Sequence, residues 1–445
     1  MADNVDHNIR TIDGLNTFHG MGIIATVTPS TQSTSKVPRI SVTMEDVAAV
    51  GRINIRHPTS PCRGLDLKYE LLKDNKEQDK TSHFDLLWKI SLTVRSPRPS
   101  WSGMMQAVHK GTYPGQSSVI FLPMIDLNPG DISCIYSTLL FVCDHAKCYN
   151  ATPIITFDQP LWWKALTIIE NEPEDSELHG IVLRLGGFHS LMSFLGAIGH
   201  IMAGSGLRRC LELIYAENTV THMMTGKVYD RAFRGHLLMD AALNTMLAST
   251  AFGTLVPITC ISRMHDNSDG VELETNTNFE SVVMEHKDDE SSEEINMQLS
   301  SDVDEIVSSD MDSITVDLHE VEKLYDSLVE KEVALESAFS KDIFERIDSL
   351  TKKATDSLKH HRTAQLWMTY MRMVDIMRNF IKSERTGDWN LHVQTLHDML
   401  PYLAAAGHNL YTKSMHIYLQ QLTHLPVKHP EVQQHFENGF HVVRR

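Results

Sequence analysis

The stretch TPIITFDQPLWWKALTIIEN, residues 152–171, decides how the fold is read. Its first half is a short β-branched run closing on Asp158, which reads as a buried strand. Pro160 follows, and the second half has the composition of a helix with proline in its first turn. Working outward, GIVLRLGG (180–187) is the next strand and FHSLMSFLGAIGHIMAGSGL (188–207) the next helix, closed by glycines. Upstream, DISCIYSTLLFVCDHAKCYN (131–150) has helical length and an Asp start signal, and it follows the apolar run SSVIFLPMIDL (117–127). GMGIIATVT (20–28) is an earlier strand. Strands of buried type therefore alternate with helices, an α/β layout with a parallel component. Beyond about residue 205 the β signal nearly stops, and 207–250 and 321–424 read as helices. The spacing of Leu366, Met373, Ile376 and Phe380 is amphipathic.

The chain of 445 residues, 42% hydrophobic, is long enough for two or three structural units. It has no run of 18 apolar residues, and its start lacks the features of a signal peptide. Six cysteines without CxxC spacing fit reduced thiols, so the sequence predicts a nuclear or cytoplasmic protein that is neither secreted nor membrane-bound. In CDHAKC (143–148), Cys143, His145 and Cys148 lie in an apolar helical run with no second ligand pair, which favours ordinary thiols over zinc. The net charge of −17 is localised. Residues 265–320 hold 18 acids and one lysine, leaving 39 acids and 39 bases elsewhere. Such a segment cannot offset its ordering entropy by burial and is expected to be disordered. The neutral remainder can still carry a basic groove.

The carboxylates suggest a chemistry. Cleaving or transferring a phosphodiester calls for divalent cations about 4 Å apart, held by hard oxygen donors. A ribonuclease-H-like fold supplies acids on its first strand, at the end of its fourth strand and on a later helix. Here ADNVDHN (2–8) crowds Asp3 and Asp6 ahead of the first clear apolar strand, and Asp158 ends the strand after the first long helix. If residues 2–6 are the stub of strand one, the strand count closes at five. The third acid is sought among Asp240, Glu384 and Asp388. Each has a plainer reading: a polar terminus for Asp3 and Asp6, a helix cap for Asp158, a solvated helix face for the others. No GxxxxGK[ST], GxGxxG after a strand, GxSxG or HExxH is present, which leaves nucleotide-binding and hydrolase readings without a motif.

ADNVDHNIRTIDG, TFHGMGIIAT, SSVIFLPMIDLNP, ITFDQPLWWKA, RLGGFHSLMSFLGAIGHIMAGSGL, RTAQLWMTYM and AAGHNLYTKS together resemble a family of transposon-associated proteins of invertebrate genomes. That family is similar in arrangement to transposases with a ribonuclease-H-like core. The resemblance implies a metal-dependent DNA nuclease or strand transferase using Mg2+ or Mn2+, with Asp3, Asp6 and Asp158 as ligands. Its helical regions would contact DNA or further subunits of a homo-oligomer. The alternative is an inactive, domesticated or fragmentary relic that binds nucleic acid or protein. Related proteins carry an acid in a GDFH-type motif where this chain reads Gly186, Gly187, Phe188, His189. The expected organisation is a ribonuclease-H-like mixed sheet with helices over 1–205, a helical insertion over 206–262, the acidic segment over 263–320 and a helical domain over 321–445.

Overall fold

The structure is a computed structural model and describes residues 1–8, 17–27, 43, 45, 53–58, 63–72, 83–94, 100–108, 117–251, 316–330 and 337–442. Most of the acidic segment lies outside the described residues. The described chain is mostly helical with small sheets, a mixed α/β arrangement. No helix among the described residues is long and apolar enough to cross a membrane.

In chain order the elements are β1 (Ala2–Asn8), β2 (Thr17–Val27), α1 (His83–Val94), α2 (Trp101–Val108), β3 (Ser118–Phe121), α3 (Ile132–Cys148), β4 (Ile154–Phe157), α4 (Gln159–Asn171), β5 (Val182–Leu185) and α5 (Gly187–Ile201). There follow α6 (Leu207–Glu212), α7 (Glu217–Met224), α8 (Tyr229–Ala251), α9 (Leu318–Val329), α10 (Ala338–Leu358), α11 (Arg362–Thr386), α12 (Trp389–Ala405), α13 (Asn409–Lys428) and α14 (Pro430–His435). A π-turn over Phe436–Phe440 follows.

The opening residues form a strand: β1 pairs antiparallel with β2, setting Asp3 opposite Gly22. β2 pairs antiparallel with β3, which is shorter than the apolar run suggested, and Ile125 makes only an isolated bridge to Met21. β4 and β5 pair in parallel with Ile154 opposite Val182, and β1 lies alongside β4. Residues 83–94, HFDLLWKISLTV, are helical. Local pattern cannot separate a short buried helix from a strand.

The chain packs as two compact units, each gathered from separated stretches: residues 1–79, 111–239 and 369–445 form the first, 80–110 and 240–368 the second. The bounds expected from sequence follow chain order, whereas packing draws distant stretches together. In the first unit α4 packs on β4, β5 and α3, while α13 covers α4 and β5, and α12 covers α5. Phe157, Trp162 and Phe194 are wholly buried in this core, each contributing about 2–3 kcal/mol by area. In the second unit α9 packs on α1, α2 and α10. There the Trp101 indole donates to the buried Asp85 carboxylate at 2.7 Å, and Arg346 bridges Glu320 and Asp342.

Candidate metal centre

β4 ends at Asp158 because the Asp158 side chain accepts the Leu161 N–H (3.1 Å) and so caps α4. β5 ends at Gly186, whose N–H donates to the Phe157 carbonyl at 2.7 Å. A Cβ at Gly186 would stand 3.0 Å from that same oxygen, so the close approach favours glycine. The approach brings the first turn of α5, with His189, beside the end of β4. Asp3 arrives from β1. Asp3, Asp158 and His189 each offer a donor atom within 4.8 Å of the others, and all three are partly exposed.

Burial raises the Asp158 carboxyl above its ordinary range. The Leu161 N–H opposes the rise, the Asp3 charge adds to it, and His189 and Lys164 pull it back. Burial, then the Asp158 charge, pushes the Tyr411 hydroxyl up to about 12. Capping and ligation are compatible, since the carboxylate has a second oxygen beyond the one that takes Leu161 N–H. Two carboxylates and an imidazole at this separation form a donor set suited to Mn2+ and open to Mg2+, with positions left for water and substrate. A groove of about 560 Å3 opens beside His189, lined also by Ser193, Thr225, His408, Asn409 and Tyr411. In its lining the Ser193 hydroxyl and His408 Nδ1 are hydrogen-bonded at 2.7 Å.

The other candidates lie elsewhere. Asp6 stands on β1 opposite His19, and its side chain is outside the described residues. Asp240 is fully buried, accepts from Asn244 and belongs to the second unit. Asp388 caps α12 by accepting the Leu391 N–H. Glu384 joins a second cluster with His392 and His441, again with donor atoms within 4.8 Å of one another. Neither histidine stands out in the sequence, because the three residues share no short spacing. In CDHAKC, Cys143 is buried and Cys148 exposed on α3. Burial pushes the Cys143 thiol up to about 12, which suits an inert core thiol.

Residues 100–445 match a domain of unknown function, DUF8702. The chain belongs to this family. No curated protein and no solved structure matches it. The DUF8702 span includes Asp158, His189, Glu384, His392 and His441, while Asp3 lies ahead of it. In this DUF8702 protein the first cluster is therefore completed by a strand from outside the matched span.

Proposed function

We propose that this chain is a transposon-derived protein whose ribonuclease-H-like core holds Mg2+ or Mn2+ between Asp3 and Asp158, with His189 as a third donor, and acts on DNA phosphodiesters as a nuclease or strand transferase. The observation that carries the reading is the convergence of Asp3 and Asp158, 155 positions apart, at neighbouring strands. The element order supports it: an antiparallel three-stranded sheet, a helix, then a parallel strand pair with β1 alongside β4. When bound, the metal supplies charge stabilisation and a water of lowered pKa. The protein's own groups do the rest. The cap holds Asp158 in place, and the partly exposed His189 ring stands where the groove opens. Tyr411 remains protonated at neutral pH and can donate a hydrogen bond.

One observation favours the second reading, a relic that binds DNA without cleaving it. Gly187 stands where related proteins carry the acid of the GDFH-type motif, and a Cβ there would meet the Phe380 ring at 3.0 Å. The test is a cleavage and strand-transfer assay on labelled duplex DNA with Mg2+ and with Mn2+, set beside the Asp3→Asn and Asp158→Asn variants. Metal-dependent product that both variants lose supports the enzyme. DNA retained without product supports the relic, and neither binding nor product overturns both.

A further inference from the structure

Glu384 ends α11, His392 lies in the first turn of α12 and His441 follows the C-terminal π-turn. These side chains meet among aromatic rings: the His392 ring stacks on Trp389 at 5.3 Å and lies 5.1 Å from the His441 ring. His392 is 1% exposed and His441 3%, yet Nε2 of each has no hydrogen-bond partner. Buried imidazole nitrogens left bare in pairs are rare, because nothing replaces the water they lose. The Nδ1–H of His441 donates to the Phe436 carbonyl at 3.3 Å, which fixes the tautomer and leaves the Nε2 lone pair free. That outer bond is the usual support of a metal-binding histidine. Nδ1 of His392 stands 2.7 Å from Glu384 Oε1, but the two lack the alignment of a hydrogen bond.

We propose that Glu384, His392 and His441 form a second metal site that takes a zinc-class cation. Two imidazoles and one carboxylate are a donor set that Zn2+ accepts with a fourth position to spare, whereas Mg2+ and Ca2+ require more oxygens. The Arg184 guanidinium donates to the His441 carbonyl at 2.6 Å and lies over the Phe436 ring, so its charge works against any cation. Affinity then rests on nitrogen coordinate bonds, which selects a transition metal over an alkaline earth. The Glu384 side chain is 35% exposed, although the Oε1 that faces His392 is buried. A bound ion ties the end of α11, the start of α12 and the C-terminal turn together. This site stands whether or not the Asp3–Asp158 reading does.

The experiment is zinc retention by the full chain after chelator stripping, reloading with Zn2+ and dialysis, read by elemental analysis and by the visible spectrum with Co2+ in place of zinc. One zinc per chain is expected, kept by the Asp3→Asn, Asp158→Asn double variant. His392→Gln and His441→Gln should each bind more than about 100-fold more weakly, beyond the loss from an outer-sphere partner. If either variant fails to fold, the wild-type cobalt spectrum decides: intense tetrahedral bands support the site. No zinc retained by folded wild-type chain, zinc unchanged in both folded histidine variants, or no tetrahedral cobalt bands would overturn it.

Discussion

The Asp3–Asp158–His189 and Glu384–His392–His441 clusters are alike in size and opposite in kind. The first is built by strand ends and a helix start, is partly exposed at every member and opens on a groove. The second is built by helix ends and a turn, and both its histidines are buried. In the first, burial and then the Asp3 charge raise the Asp158 carboxyl. In the second, burial works to raise Glu384, but His392 and then His441 and Arg184 outweigh it and hold the carboxyl below its ordinary value. The open cluster carries internal repulsion, and the closed one offsets its charges internally. Convergence of ligand-type residues is not enough to name a role. Exposure and the sign of the neighbouring charges divide the two.

The steepest loss should fall on the open cluster. Asp158→Asn and Asp3→Asn should each lower metal-dependent cleavage at least about 100-fold, the scale of losing a group that stabilises developing charge. Initial rates at saturating Mn2+ measure it, and rates within a few-fold of wild type would remove the open cluster from catalysis. A buried imidazole outside both clusters is the control for acid sensitivity. His236 is fully buried, with Nδ1 2.9 Å from the Tyr370 hydroxyl, and burial lowers it to about 4. Its folded pKa is below its unfolded one, so its contribution is present above about pH 6.5 and is lost as pH falls toward 4. That loss is at most about 3 kcal/mol. Urea unfolding of His236→Gln should show a shallower decline over this window than wild type, and equal slopes would refute the assignment.

His392→Ala sharpens the contrast at the closed cluster. It strips Glu384 of its nearest partner and should cost about 2 kcal/mol of stability, below the full value for a wholly buried pair because the Glu384 side chain is 35% exposed. A chemical-denaturation midpoint reads it, and an unchanged midpoint would show that the pair contributes nothing. The smallest effect has the opposite sign. In metal-free buffer Asp158→Asn removes the repulsion from Asp3 while asparagine still caps α4, so thermal stability should hold or rise by up to about 1 kcal/mol. A clear fall would mean that Asp158 serves the fold before any chemistry.

The elements around Asp158 were legible because each signal was local: a β-branched run, an Asp cap, Pro160 in the first turn, glycines after β5. Helix α3 begins one residue after its expected Asp131 cap. Asp3 was legible as a candidate because two acids beside a strand are conspicuous. His189 was visible only as a histidine at a strand–helix junction, and what brings it to Asp158 is the Gly186 approach to Phe157. Glu384 was read as a lone helical acid because His392 and His441 follow at 8 and 57 positions, with no motif linking them. Likewise Lys68 and Glu70 pair with Gln420, and Glu70 with His424, across some 350 residues that no periodicity spans.

The division of the chain also bears on how it is made. The first unit is interrupted twice, and its last portion, residues 369–445, follows the whole of the second. During synthesis β1 to β5 emerge long before α12 and α13, the helices that cover α5, α4 and β5. Their apolar faces must wait, open to wrong partners, for the slow closure of very long loops. The second unit, apart from residues 80–110, is contiguous and can pack in that interval. Chaperone dependence should therefore be greatest for nascent chains that end between residues 240 and 368, and should fall once the C-terminal helices are out.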